Sequence, residues 1–509
     1  MKNNLIWKLI GTILVFVKSV QLECVCIQNK QQANCILYRL NEISVRNTQG
    51  TKTVAIVTTR TDGGCTLPEN AISFDKMEHV ALSCEIDILK VNAFKNQEEL
   101  KNLDLSENFI STIPNDFFAN IPRLENLNLS HNTFQNPTLD TFYALNNLKV
   151  LDISFNSISS LGLGIFDEMM KLEELHLNNN KIPKIELGVF DLLHNLKIID
   201  LSYNHLHEIV LGLFDQSQKL ADVYLSGNYF VGNLPLGTFD SFKNVITLHL
   251  KDCQIEKFPL GVFDQMPKLI YLDLNNNKIK KFPLGIFDEA KDLKILDLAN
   301  NALAKIPDYV FDQTTKLESL DLSRNKLQTL PGLLFQQTES LKYLNLSKNS
   351  IAKLQKKMFQ WTYLTVIDIS YNKFITIEPD LLNIETLARV YAQNNRINYL
   401  DDLTFASSNF PLQYLDIRNN RLVFLGEHFF DWVKNLKRME VFGNPWDCTC
   451  LEDIMIILTH RSIRYTSTGY YEGKLPICVV PQTNSDKCDF TATDKNILSN
   501  YYQLYNERT

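Results

Sequence analysis

The stretch "LKNLDLSENFI", Leu100–Ile110, sets leucine at 100, 103 and 105, asparagine at 108 and isoleucine at 110. The spacing L-x-x-L-x-L-x-x-N-x-L puts alternating apolar residues on one face of a short strand and a polar residue where the strand ends. The asparagine slot returns at Asn132, Asn156, Asn180, Asn204 and Asn228. After Cys253 it resumes at Asn277, Asn301, Asn325, Asn349, Asn372, Asn395, Asn420 and Asn444. A second ladder follows about ten residues behind: Phe118, Phe142, Phe166, Phe190, Phe214, Phe239, Phe263, Phe287, Phe311, Phe335, Phe359, Phe405 and Phe430, broken only by Leu382. Two ladders in phase over this length are not chance.

The repeat fixes the fold class: an α/β solenoid, a curved leucine-rich repeat horseshoe with a parallel concave β-sheet and about 15 repeats of about 24 residues. Each unit is a short strand, a turn and an irregular or short helical return, and no unit buries its leucines without its neighbours. The phenylalanines are expected to form an inner spine. The asparagine amide, able to donate and accept at once, is expected to satisfy buried backbone groups of adjacent coils. Six consecutive repeats share the phrase LG-x-FD, from Leu163 to Asp288. Its glycines invite comparison with a dinucleotide loop, but "GLGIFD" lacks the third glycine and its strand–helix setting, so the phrase reads as scaffold.

The composition, 45% hydrophobic and 21% charged over 509 residues, is that of a folding chain. The N-terminus has Lys2 and Lys8 about an apolar run, Leu9–Val17, then small and polar residues. This reads as a signal peptide, residues 1–22, since nine apolar residues are too few to span a bilayer. Losing its three lysines would move the formal charge from −7 to −10 (−7 − 3). An acidic secreted protein is a poor nucleic-acid binder. No later segment suggests a membrane span, and the polar tail, 489–509, lacks a lipid-anchor signal.

A solenoid needs caps at both ends. The N-terminal cap is placed at 23–83, the array at 84–444 and the C-terminal cap at 445–488. The N-terminal cap carries Cys24, Cys26, Cys35 and Cys65, whose pairing spacing does not determine. Cys84 and Cys253 occupy asparagine slots and are expected as buried thiols, although Cys84 paired to a cap cysteine is the competing arrangement. The C-terminal cap carries Cys448 and Cys450 in "NPWDCTC", then Cys478 and Cys488. Cysteine pairs in secreted caps favour disulfides over zinc.

Alternate strand residues face the concave surface, in columns six, four and two positions before each slot. Aspartate in the central column is the common spelling "LDLS", so only departures from it are informative. The first group of departures is Asp222, Tyr224, His249, Lys251, Tyr271 and Asp273. The second is Arg389, Tyr391, Tyr414, Arg418, Arg438 and Phe442. Tyrosine and arginine are favoured at protein-binding hot spots. The two N-x-S/T sequons, at Asn128 and Asn345, are candidate glycosylation sites in the same column.

No catalytic signature, metal set or cofactor motif is present, and an open curved face cannot exclude water around His249 and Asp273. A binding module is the expected class. With its single array, "GNPWDCTC" cap and short tail, the chain resembles the secreted leucine-rich immune proteins of mosquitoes. That resemblance implies two disulfides in the C-terminal cap and a role in innate defence, recognising pathogens or carrying complement-like effectors. Its partners would be an extracellular protein or a pathogen-surface ligand. Longer members dimerise through a coiled coil; 21 residues after Cys488 are too few for one, so the resemblance is to a coil-less branch. The rivals are an adhesion or guidance protein resembling Slit or Toll repeat regions, and a matrix component.

Overall fold

The computed structural model describes residues 23–29, 32–38, 45–46, 53–58, 65–73, 77–83, 85–379, 381–405, 411–466, 478–479 and 488. The chain forms two compact units. The first comprises Met1–Phe230 with Gly237–His249, the second Val231–Leu236 with Leu250–Thr509.

In the first unit the hairpin Glu23–Asn29 and Gln32–Tyr38 opens the sheet. Gln32–Tyr38 runs parallel to Thr53–Thr58, which pairs in turn with His79–Ser83. Three-residue parallel strands then follow in chain order: Asn102–Asp104, Asn126–Asn128, Val150–Asp152, Glu174–His176, Ile198–Asp200, Asp222–Tyr224 and Thr247–His249. In the second unit the same ladder runs through Tyr271–Asp273, Ile295–Asp297, Ser319–Asp321, Tyr343–Asn345, Val366–Asp368, Arg389–Tyr391, Tyr414–Asp416 and Arg438–Glu440. This is a leucine-rich repeat solenoid of about fifteen turns with few helices. Most returns are successive tight turns.

Register follows from the repeat. Leu103 lies opposite Leu127 and Leu127 opposite Leu151, each buried in the centre of its strand. Behind them the phenylalanine rings stack coil on coil within each unit. Phe166 and Phe190 are 6.0 Å apart, Phe190 and Phe214 5.4 Å, and Phe263 and Phe287 6.1 Å. Burying each ring stabilises by about 1.5–3 kcal/mol, and ring pairs add roughly 0.5–1.5 kcal/mol. The LG-x-FD phrase is scaffold: Gly188 has φ +98°, in the left-handed region a side chain strains to enter.

Each asparagine of the ladder ties two coils together. Asn156 Nδ2 donates to Leu129 O at 2.9 Å and to Ile153 O at 3.2 Å, while its Oδ1 accepts from Phe134 N at 3.0 Å. The residue before each slot turns left-handed, as at Phe155 (φ 51°) and Asn179 (φ 57°). That turn takes the backbone out of the sheet and leaves the groups the amide satisfies.

Cys253 keeps the ladder's address. Its side chain is fully buried, and Sγ lies 3.4 Å from Lys251 O. The placement of Cys84 and the pairing of Cys24, Cys26, Cys35 and Cys65 lie outside the described residues; in the hairpin register Cys26 stands opposite Cys35.

The C-terminal motif divides its labour. Asn444 closes the ladder, and Trp446 is fully buried with its indole N–H donating to Val441 O at 2.9 Å. Asp447 caps the helix Cys448–His460 by accepting from Thr449 N and Cys450 N. Disulfides Cys448–Cys478 and Cys450–Cys488 bind that helix to the chain beyond it.

Candidate ligand-binding face

The strand triplets present their first and third side chains away from the core, with the middle one buried. In the central column the common residue has a structural task. Asp321 Oδ1 accepts from Ser323 N at 2.8 Å and Asn128 Oδ1 from Ser130 N at 3.0 Å, closing the turn after the strand. The hydroxyl of a tyrosine in this column lies too far out to do so.

The second group of expected residues forms an ordered assembly. Tyr391 and Tyr414 lie on adjacent strands with ring centroids 4.9 Å apart. The Arg438 guanidinium sits over the Tyr414 ring at 6.0 Å. Arg418 donates from Nε to Asp416 Oδ1 at 3.0 Å and from Nη2 to Oδ2 at 2.6 Å. Arg438 donates from Nε to Glu440 Oε1 at 2.7 Å and from Nη2 to Thr466 Oγ1 at 2.9 Å. Thr466 N in turn donates to Glu440 Oε2 at 3.0 Å. Both carboxylates are buried, so each guanidinium is a charged group held in place by a carboxylate beneath it. Burial, with Asp416 and Glu440 adding to it, pushes the Tyr414 hydroxyl up to about 12, so it stays a hydrogen-bond donor at neutral pH. The hydrogen bond Arg418 donates to Asp416 raises Arg418, and the one Arg438 donates to Glu440 raises Arg438. Arg389 is exposed, and its side chain has no ion-pair or hydrogen-bond partner among the described residues.

Two residues expected on the surface are not there. Phe442 is 3% exposed, its ring packed against Tyr465 of the segment after the cap helix. Asp273 is 8% exposed and accepts from Asn275 N at 2.9 Å, the ordinary turn role. The first group is also divided between the units. Asp222, Tyr224 and His249 belong to the first, Lys251, Tyr271 and Asp273 to the second. Within the first trio the Tyr224 and His249 rings stack at 4.5 Å, and Thr247 Oγ1 donates to Asp222 Oδ1. Burial, then Asp222 and Asp200, raises the Tyr224 hydroxyl.

Sequence reasoning missed a recess on the same face of the first unit. It has a volume of about 370 Å³ and is lined by His79, Asp104, Asn128, Asp152, Glu174 and His176 among others. His176 Nε2 lies 3.7 Å from Glu174 Oε2. The available signal was His176, which stands where the repeats usually write aspartate. Of the sequon asparagines, Asn128 lines this recess, while Asn345 Nδ2 donates to Asp321 Oδ2 at 2.9 Å.

Short parallel strands, an asparagine ladder and an open face of variable side chains define a repeat scaffold for protein recognition. The chain belongs to the leucine-rich repeat family, whose model matches residues 83–134, 138–182, 170–230, 218–279, 243–303, 291–351 and 339–383, together more than half its length. No curated protein matches it. Among solved structures it is similar to a leucine-rich repeat protein of Leptospira interrogans, with 25% identity over 72% of this chain and 96% of that one, at a TM-score of 0.59. It is also similar to a chain of the Drosophila Toll–Spatzle complex, with 19% identity over 93% of this chain and 73% of that one, at a TM-score of 0.69. Among the described residues no helix is long and apolar enough to cross a membrane.

Proposed function

We propose that this chain is a secreted recognition protein of innate immune defence that binds an extracellular protein or pathogen-surface ligand on its concave face. The observation that carries the site is the assembly of Tyr391, Tyr414, Arg418 and Arg438, with the unpaired Arg389 beside it. Guanidinia held by buried carboxylates lose little freedom on binding, and stacked tyrosines offer apolar area with a polar tip. The ligand surface that fits is apolar with a carboxylate for Arg389. The trio Asp222, Tyr224 and His249 is a second contact in the first unit. Secretion is supported by the apolar N-terminal run, which lies outside the described residues, and by the two cap disulfides. The immune role is supported by the resemblance to mosquito immune proteins and by the fold shared with the Toll–Spatzle complex, described as a hub in development and innate immunity.

The test is affinity capture from circulating fluid with mass spectrometry, comparing the natural chain with Tyr414→Ala/Arg389→Ala. Immune effectors or microbial surface components should be captured, with binding at least tenfold weaker for the double variant, as expected for two hot-spot side chains. Equal capture by the folded variant refutes the site. Recovery of matrix proteins alone refutes the immune reading.

A further inference from the structure

On the flank where each coil returns to its strand, the residue before the buried leucine is usually a lysine, asparagine or aspartate, and neighbours pair. Lys171 donates to Asn147 Oδ1 at 2.7 Å, Lys219 to Asn195 Oδ1 at 2.7 Å, and Lys316 to Asp292 Oδ1 at 2.5 Å. In three successive coils of the second unit this position holds Ser340, Tyr363 and Thr386 instead. The column loses its cations there, and the position one residue earlier carries two carboxylates, Glu339 and Glu385. Neither has a side-chain partner among the described residues. Lys342, Lys353 and Lys356 of these coils are engaged by Glu318 and Glu378.

Here the phenylalanine ladder fails at Leu382, and the asparagine spacing shortens from 24 to 23 (349 to 372, 372 to 395). A cleft of about 430 Å³ opens, lined by Glu339, Gln360, Trp361, Tyr363, Asn383 and Glu385 among others. Trp361 is 54% exposed and Tyr363 60%. Two large aromatic rings left in water side by side along one return ask for a ligand. The threonine hydroxyls of the cleft are spent on backbone, Thr362 Oγ1 on Phe359 O and Thr386 Oγ1 on Leu364 O. What remains facing the cleft is two rings, two carboxylates and two amides, and among the described residues no lysine or arginine lines it.

We propose that this cleft binds an organic cation: the ammonium or guanidinium head of a partner's side chain, or of a free amine. Aromatic faces attract such cations through their quadrupole, and unpaired carboxylates add a field that repels anions. A neutral sugar would be served by the rings and amides but leaves the carboxylates without a purpose. The site is independent of the concave face.

Among the described residues Trp361 is the exposed tryptophan and the reporter, because Trp446 is fully buried and Trp432 half-buried. The full chain is titrated at constant ionic strength with choline chloride, with the peptide acetyl-Gly-Lys-Gly-amide and with N-acetylglucosamine. A saturable fluorescence change with a millimolar midpoint is expected for a cation. Choline alone points to a free amine, and the peptide, with or without choline, to a partner's side chain. Glu339→Gln/Glu385→Gln, both exposed and harmless to folding, should raise the midpoint about three- to tenfold. Trp361→Ala, followed by calorimetry, should weaken binding roughly three- to thirtyfold. No saturable response to either cation, a midpoint unmoved in the glutamine variant, or a response to the sugar alone overturns the proposal.

Discussion

Removing one rung of the asparagine ladder tests the account of what holds the coils together. Asn301 Nδ2 donates to Leu274 O at 2.9 Å, Leu298 O at 3.1 Å and Ala299 O at 3.2 Å, and its Oδ1 accepts from Ile279 N at 3.0 Å. In Asn301→Ala the three carbonyls keep partners. Leu274 O still accepts from Asn277 Nδ2, Leu298 O from Asn325 Nδ2 and Ala299 O from Asn276 N. The Ile279 amide loses the acceptor that bound it. One buried orphan donor costs about 1–3 kcal/mol. With the small cavity, the expected loss is about 2–4 kcal/mol. Asn277→Ala alone should cost at least as much, since Asn277 Oδ1 accepts from both Cys253 N and Ile255 N and its Nδ2 serves Leu250 O. The double variant, however, strips both donors from Leu274 O. Its cost should therefore exceed the sum of the singles by about 1 kcal/mol or more, whereas Asn277→Ala with Asn349→Ala, which share no carbonyl, should be additive. Urea unfolding gives the free energies, and hydrogen exchange at Ile279 gives the local loss. A single-variant cost below about 1 kcal/mol, or strict additivity of the adjacent pair, refutes the reasoning.

Other perturbations probe separate links. Cys253 should resist thiol reagents for as long as the fold holds and react at once in denaturant, read by mass; fast native labelling contradicts its burial. Burial raises Asp297, then Asp321 and Asp273 raise it further. Its folded value lies above the unfolded one, so its contribution to stability falls as pH rises through that interval and is least at neutral pH. Asn keeps the oxygen that accepts from Ala299 N, so Asp297→Asn should stabilise at pH 7 by up to about 1 kcal/mol and lose that gain in acid, by thermal melts across pH. Trp446→Ala should cost about 3–5 kcal/mol, and Cys448→Ser/Cys478→Ser about 2–4 kcal/mol, with exchange accelerated first around 438–466.

The array was legible because its rules are local and repeated. A strand residue that must be apolar, an amide that must both donate and accept, and a ring that must fill the return each recur at one spacing. Carbonyl sharing also explains why the ladder accepts Cys253: Leu250 O, which has no Asn amide in its own coil, still accepts from Asn277 Nδ2 at 2.7 Å. What was not legible depends on segments outside the repeat or on breaks within it. Nothing in the strand pattern places Tyr465 against Phe442, because that contact comes from chain beyond the cap helix. The hairpin at Glu23–Tyr38 has no counterpart in the repeat. The cleft at Trp361 follows from a break in the ladder that sequence marks at Leu382 without saying what fills the space.

The site residues divide along the same physical line. Ten coils keep an aspartate or asparagine in the central column, and in each its Oδ1 accepts the amide two residues on. Those residues are explained by the turn, and Asp273 joins them. Tyr224 and Tyr391 forgo that bond, which is worth about 0.5–1.5 kcal/mol, for a ring on the open face, and His249 also places a ring there. No requirement of the scaffold selects them. Their rings stack on one another or on Tyr414, and among the second unit's arginines Arg418 uses the turn-closing Asp416 as its anchor. A fold that writes the same strand fifteen times makes its exceptions informative, because each departs from a residue whose task is known.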